Sequence, residues 1–249
     1  MARVKQAMIF AAGLGTRLKP ITDTKPKALV EVDGQPLIWH VMMALKKAGF
    51  GRIVVNVHHF AEQIIGYLEA NQGFGLDVRI SDERGKLLET GGGIRHARPL
   101  FSTDAPILIH NVDILSNARL AEFYDEADGC DAALLVSRRQ TRRYLLFDES
   151  MKLRGWRNIE TGELRGPVAE EPATAEQFKP LAFSGIHAFS PRLFENMETW
   201  PERFPIIDFY LDVCKTRNVR GVEADGLQLL DVGKPETLAR AASFLKNNT

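Results

Sequence analysis

Ile9-Phe10-Ala11-Ala12-Gly13-Leu14-Gly15-Thr16-Arg17-Leu18-Lys19-Pro20, followed by Lys25-Pro26-Lys27-Ala28-Leu29, is the stretch on which the reading of this chain turns. The apolar run Ala7 to Ala11 is that of a short strand buried on both faces. It passes through two glycines into a segment with an arginine and, further on, a lysine. Glycine lets a backbone approach a bulky ligand and takes positive φ where a turn needs it. Consecutive free N–H groups at a strand end cradle phosphate oxygens. Arg17 and Lys27 supply the neutralising charge. The stretch therefore predicts a triphosphate grip at the carboxyl end of the first strand. A P-loop is excluded, because G-x-x-x-x-G-K-[S/T] does not occur. A dinucleotide fingerprint is excluded because Leu18 stands where its third glycine belongs.

Outward from this grip, the first half alternates strands and helices through short links. Pro36 to Ala48 predicts a helix with Leu37, Ile38, Val41, Met42, Leu45 and Ala48 on one face and Gly49 as its C-cap. Arg52 to Val57, Leu76 to Ser81, Pro106 to Ile109 and Asp131 to Ser137 predict strands. Ala61 to Ala70 and Asn117 to Ala127 predict helices. That order gives an α/β fold with a doubly wound, mostly parallel sheet that binds ligands at the carboxyl ends of its strands. His58 and His59 end the second strand, where adjacent side chains point apart; a place on a loop or rim suits them better than a metal. From about Thr141 a hairpin is expected (Tyr144 to Phe147, Met151 to Trp156), then a polar lid loop near 158–179. An apolar strand, Leu181 to Phe189, and a closing helix, Pro235 to Lys246, follow. One domain over 1–249 is expected, with a nucleotide-binding half (about 1–137) and a small lobe (about 138–249).

Bulk properties narrow the partners. Acids and bases balance at 32 each, so no general field favours nucleic acid or a membrane. No apolar run reaches the roughly 18 residues needed to span a bilayer. Met1 to Gln6 leads into a strand without an apolar signal region, so a cytoplasmic protein is expected. Cys130 and Cys214 are too few for a disulfide framework or a zinc site and read as buried thiols.

Three further stretches carry chemistry. Leu87-Leu88-Glu89-Thr90-Gly91-Gly92-Gly93 places three glycines between a strand and a helix, which predicts close approach of backbone to a flat ligand. Asp113 follows the strand Ile107-Leu108-Ile109, where a carboxylate beside a triphosphate would hold Mg²⁺. Asp231, in Leu229-Leu230-Asp231-Val232-Gly233-Lys234-Pro235, is a second such carboxylate, and the two together predict an Mg²⁺ site completed by phosphate and water.

The pattern Phe10 to Pro20 with Thr22, then Pro26-Lys27-Ala28-Leu29-Val30, resembles the signature of the sugar-1-phosphate nucleotidyltransferases. So do Glu89 to Gly93, the late-strand Asp113 and Asp231-Val232-Gly233-Lys234-Pro235-Glu236. The likeness covers nearly the whole chain. Its short length and Leu88 to Ile94 are most similar to the N-acetylmuramate-1-phosphate uridylyltransferases of cell-wall recycling. The resemblance implies a Rossmann-like fold with a sugar-binding lobe, and attack of a sugar phosphate oxygen on the α-phosphorus of an NTP. By resemblance, Ala11, Ala12, Gly13, Leu14, Gly15 and Thr16 contact the nucleotide, and Arg17 holds the β,γ-phosphates. Lys27 neutralises the α- or attacking phosphate, Thr90 and Gly91 line the base pocket, and Asp113 and Asp231 bind Mg²⁺. Asn111, Ser184 and Gly185 fall where the family meets the sugar. The implied partners are an NTP and a sugar 1-phosphate, in a monomer or homodimer.

The chain departs from the family in three places. Asn111-Val112-Asp113 replaces the usual Gly-Asp. Glu170-Glu171-Pro172 lacks the sugar-side lysine, for which Lys179 is the candidate. The base-reading position falls near Glu83 or Arg84, and neither is the family's glutamine. Guanylyl or thymidylyl transfer therefore stays open. A phosphocholine cytidylyltransferase would want an aromatic cage, and Trp39, Trp156 and Trp200 are scattered. A non-catalytic nucleotide sensor would not need both aspartates.

Overall fold

The computed structural model describes residues 4–248; Met1, Ala2, Arg3 and Thr249, at the ends of the two expected halves, lie outside the described residues. The first half runs β1 (Lys5–Phe10), β2 (Glu31–Val32), β3 (Gln35–Pro36), α1 (Leu37–Lys47), β4 (Phe50–Val57), α2 (Ala61–Ala70), β5 (Asp77–Asp82), α3 (Glu89–His96), β6 (Ile107–Asn111), β7 (Ile114–Ser116), α4 (Leu120–Glu126) and β8 (Ala132–Ser137). The second continues with β9 (Arg143–Phe147), β10 (Leu153–Asn158), β11 (Leu164–Arg165), β12 (Lys179–Phe189), α5 (Ile206–Val213), β13 (Val219–Glu223), β14 (Leu229–Asp231) and α6 (Pro235–Asn248). No helix among the described residues is long and apolar enough to cross a membrane.

The centre of the sheet is parallel, as the βαβ order requires: β5, β4, β1 and β6 lie side by side in one direction. Beyond β6 the sheet continues through antiparallel β12 to β8, and β13 runs parallel to β8. The first residues of β12 also pair with β9, which starts an antiparallel arm, β9–β10–β11. One sheet thus runs through both halves.

Strand alternation sorts side chains into two cores. Ala7 and Ile9 of β1, Ile53, Val55 and Val57 of β4 and Leu108 of β6 face the core that α1, α2 and α4 cover. Met8, Val54, Ile107 and Ile109 face the opposite core, roofed by Phe209, Tyr210 and Val213 of α5. Each of these aliphatic side chains is essentially solvent-free, a burial that contributes about 1.5–3 kcal/mol apiece. In α1 the predicted apolar face is buried from Leu37 to Leu45, Ala48 follows half-buried at the C-cap, Pro36 sits at the N-cap, and Gly49 (φ 85°) ends the helix by donating to the Lys46 carbonyl.

Two expectations are sharpened. The stretch 158–179, expected as a polar lid loop, is packed onto the second half. It holds β11 and two short 3₁₀ turns, and its Val168 and Ala175 form a small core with Leu146. Arg165 ties it to Asp208 of α5 at 2.7 Å. The two cysteines are half-buried rather than fully buried, and burial pushes the Cys214 thiol up to about 11.

Candidate functional site

A cleft of about 420 Å³ opens at the carboxyl ends of β1 and β6. Ala11, Ala12, Gly13, Leu14, Gly15, Thr16 and Arg17 form one wall; Asn111, Val112 and Asp113 face it; Lys27, Thr90 and Gly233 line the cleft too, with Asn56 and Glu83 at its inner end. Residues from several separate stretches of sequence therefore meet around one space.

The two glycines of the opening loop have different reasons to be glycine. Gly15 has φ 66°, and a Cβ there would come 2.9 Å from Thr22 Cγ2. Its carbonyl accepts from the Thr22 hydroxyl at 2.8 Å and from the Leu18 N–H at 2.9 Å, which closes a tight turn. Gly13 has ordinary φ, and a Cβ there would meet nothing within 4 Å. Neither turn geometry nor packing requires glycine at 13, so clearance for a ligand is the remaining reason. The N–H groups of Gly13, Leu14 and Gly15 meet no protein acceptor among the described residues. Those of Ala11 and Ala12 do not belong to the cradle. Both donate to Asn56 Oδ1, at 2.7 and 3.2 Å.

Asn56 is the residue that the motifs miss, and its partner is Glu83, one of the two candidates for the base-reading position. Asn56 Nδ2 donates to Glu83 Oε1 at 2.7 Å, and Glu83 Oε2 accepts from the Leu88 N–H at 3.2 Å. Burial pushes the Glu83 carboxyl above its ordinary value. This buried polar chain ties the glycine loop on β1 to the turn before α3. Its signal was the asparagine inside the apolar strand Val54-Val55-Asn56-Val57, because a polar side chain in a doubly covered strand needs a partner. Glu83 faces the cleft, whereas Arg84 points away into ion pairs with Asp82 and Glu62. His58 takes its rim place by contacting the Glu83 carbonyl at 2.6 Å.

The charged groups divide by engagement. Lys27 is buried and ion-paired with Asp113, whereas Arg17 is exposed and has no acidic partner within ion-pair distance among the described residues. Asp231 lies next to Asp113 through the backbone: it pairs with Ile114 across the β7–β14 ladder, and the Val232 N–H donates to the Asp113 carbonyl at 2.8 Å. Gly233 keeps the space between opposite charges open. A Cβ there would come 2.5 Å from Arg17 Nη2 and 2.6 Å from Asp231 Oδ1.

No three His, Cys, Asp or Glu among the described residues group as a metal cage. Two carboxylates on adjoining strand ends beside a phosphate cradle suit Mg²⁺, which takes one or two carboxylates and fills its octahedron with phosphate oxygens and water. The donor set therefore fits that ion.

Other expected site residues are placed elsewhere. Gly91 does not line the cleft: its N–H donates to the Phe204 carbonyl at 2.8 Å, and a Cβ would overlap the Phe204 ring. A Cβ on Gly92 would overlap the Glu202 carbonyl, and one on Gly93 would reach Glu83 Oε1 at 2.8 Å. The three glycines are inside α3: Gly91 and Gly92 let the segment 201–204 lie on it, and Gly93 gives room to the Glu83 and Asn56 side chains. Thr90 does line the cleft, with its hydroxyl accepting from the Ile206 N–H at 2.8 Å. Ser184 and Gly185 are buried behind Asn111 rather than open to the cleft. Gly185 (φ 79°) sits at a bulge in β12 where a Cβ would come 2.8 Å from Asn111 Nδ2. Lys179 is ion-paired with Glu223 and does not reach the cleft. The tryptophans form no cage: Trp156 lies under the Arg165 guanidinium at 4.4 Å and Trp200 packs against Phe204 and Phe209.

Comparison with known proteins gives a family. The chain is 34% identical over 243 residues to the N-acetylmuramate alpha-1-phosphate uridylyltransferase of Caulobacter vibrioides, covering 97% of both chains. It is 44% identical over 113 residues to the Neisseria meningitidis enzyme of the same name, covering 45% of this chain and 48% of that one. Among solved structures, a UDP-glucose pyrophosphorylase complexed with UDP-glucose superposes with a TM-score of 0.79 at 17% identity, over 99% of this chain and 100% of the other, which shows a shared fold. The nucleotidyl transferase family profile matches residues 6–248, and with the cleft built as it is, the chain belongs to that family of enzymes.

Proposed function

We propose that this chain transfers a uridylyl group from UTP to N-acetylmuramate 1-phosphate, with Mg²⁺ bound, and releases pyrophosphate. The observation that carries the reaction type is the meeting of Gly13, Arg17, Lys27, Asp113 and Gly233 around one cleft. The substrates are supported by the name and full-length match of the Caulobacter relative.

In the reaction an oxygen of the sugar phosphate attacks the α-phosphorus, the bond from that phosphorus to the α,β-bridging oxygen breaks, and pyrophosphate leaves with the electron pair. No protein nucleophile is required, so the residues act by position and charge. The free N–H groups of Gly13, Leu14 and Gly15 receive phosphate oxygens. Arg17, free of any carboxylate, holds the β,γ-phosphates and the departing pyrophosphate. Asp113 and Asp231 would hold the metal, which when bound neutralises phosphate charge. Lys27, relieved of part of its pairing with Asp113, serves the α-phosphate. Asn111 faces the sugar, with Ser184 and Gly185 supporting it from behind. Placement in cell-wall recycling follows from the sugar alone.

The test is pyrophosphate release over a grid of the four NTPs against several sugar 1-phosphates, with and without Mg²⁺. UTP with N-acetylmuramate 1-phosphate is expected to give the highest kcat/KM. Asp113→Ala is expected to lower kcat by about 100-fold or more, the scale of losing one preorganised charge-stabilising group. Full activity in that variant, or nucleotide binding without turnover of any sugar phosphate, would refute the proposal.

A further inference from the structure

Four arginines crowd the turn after β8, Ser137-Arg138-Arg139-Gln140-Thr141-Arg142-Arg143. β12 runs antiparallel to both β6 and β8, so this turn lies at the same end of the sheet as the cleft. Most of the positive charge nearby is already neutralised. Arg138 pairs with Glu223 at 2.6 Å, Lys179 shares that glutamate, and Arg142 pairs with Glu160 at 2.9 Å. Even Arg203, next to the cleft wall, is paired at 2.8 Å with Glu89.

Neither Arg143 nor Arg139 has a carboxylate within ion-pair distance among the described residues, and it is Arg139 that a side-chain hydrogen bond also holds in place. Its Nη2 donates to the Phe183 carbonyl at 2.8 Å, a contact that aims the guanidinium without neutralising it. Phe183 directly precedes Ser184 and Gly185, and Gly185 abuts Asn111 of the cleft wall. Asp231 lies within electrostatic range of Arg139, which stands outside the residues that line the cleft itself. Asp113 follows β6 and Arg139 follows β8, with β12 between: the two strands lie about 10 Å apart across the sheet, and the end of β8 is set further along β12, Ser137 pairing with Ala182 where His110 pairs with Ile186. A sugar whose 1-phosphate meets the nucleotide near Asp113 would extend its far side towards Arg139. A guanidinium with five donors, one of them engaged, is matched by a planar carboxylate accepting two parallel N–H bonds.

We infer that Arg139 recognises a carboxylate on the sugar substrate, remote from its 1-phosphate, and so selects acidic sugars over neutral ones. The inference rests on the proposed transfer to a sugar 1-phosphate. It is tested with two acceptors that differ at one position: N-acetylmuramate 1-phosphate, which carries a lactyl carboxylate, and N-acetylglucosamine 1-phosphate, which has a hydroxyl there. The readout is the ratio of their kcat/KM values at saturating UTP.

Arg139→Gln is expected to lower that ratio by about 10- to 100-fold, chiefly through the KM of the acidic sugar, as loss of a charge-assisted bond requires. Arg139→Lys, which keeps the charge without the fork, is expected to fall between Arg139→Gln and the wild type. Thermal melts and UTP affinity check that the variants fold. Should Arg139→Gln melt early, Arg139→Lys decides alone. A wild-type ratio in the folded variants overturns the inference, and so does an equal loss on both sugars, which would make Arg139 a phosphate contact. If the wild-type enzyme turns over neither sugar, the proposed function itself falls, and the assignment of Arg139 falls with it.

Discussion

Replacing Asn56 by Asp changes one atom and strikes the joint between the glycine loop and the turn before α3. The Asn56 Oδ1 acceptor survives, so the Ala11 and Ala12 N–H groups keep their partner. The Nδ2 donor that faces Glu83 Oε1 at 2.7 Å becomes an oxygen. Two carboxyl groups then meet in a dry site, and one must hold a proton. Glu83 is already raised by burial. Holding that proton costs about 1.4 kcal/mol for each pH unit above the ordinary carboxyl range. The expected loss of stability is therefore about 5 kcal/mol near pH 8 and about 1 kcal/mol near pH 5. The sign follows from proton binding: the folded variant binds more protons than its unfolded chain over this range, so stability falls as pH rises. Adding Glu83→Gln restores a donor to the pair, so the double variant is expected to regain at least half of the loss and to lose the steep pH dependence. Urea unfolding of the four proteins at both pH values, fitted as a double-mutant cycle, measures all of this. A loss independent of pH, or no recovery in the double variant, would refute the role given to this pair.

Two further predictions are independent of it. Gly13→Ala meets open space whereas Gly91→Ala meets Phe204. The first is expected to leave thermal stability nearly unchanged and weaken UTP binding about tenfold, while the second costs about 1–3 kcal/mol of stability; melts and calorimetric titration separate the two. His187 is buried against the Tyr210 hydroxyl at 2.7 Å, and burial holds its pKa down to about 3 from the ordinary 6.5. The unfolded chain therefore takes up the proton first, and stability present above about pH 6.5 is lost on acidification toward pH 3. His187→Gln is expected to flatten urea midpoints across that window by the equivalent of about 1.4 kcal/mol per pH unit.

Parts of the molecule whose determinants are local were legible in the chain. β1 was visible as an apolar run, α1 as a stripe bounded by Pro36 and Gly49, and the parallel centre as an alternation of strands and helices. The grip was legible because Gly13, Arg17 and Lys27 carry their chemistry in their identities. What was not legible depends on residues far apart in sequence. Nothing near Gly91-Gly92-Gly93 announces that residues 201–204 lie on them, so packing glycines looked like a ligand surface. The packing of 158–179 was hidden for a similar reason, since polar composition does not reveal that Val168 finds a socket over Gly155. Lys179 looked available until β13 brought Glu223 beside it.

The clasp on α3 also bears on the order in which the chain becomes an enzyme. An eight-residue helix with three glycines cannot stand alone in water. Its first amides are answered only by the Phe204 carbonyl, and its Arg95 by the carbonyls of Met197, Trp200 and Pro201. A nascent chain leaving the ribosome would therefore carry the whole glycine loop, and even Asp113, before the wall at Thr90 could settle. Since Asp231 is made later still, the cleft stays incomplete until β14 has emerged and paired with β7. Nucleotide would then meet a finished grip only once both halves of the sheet have come together.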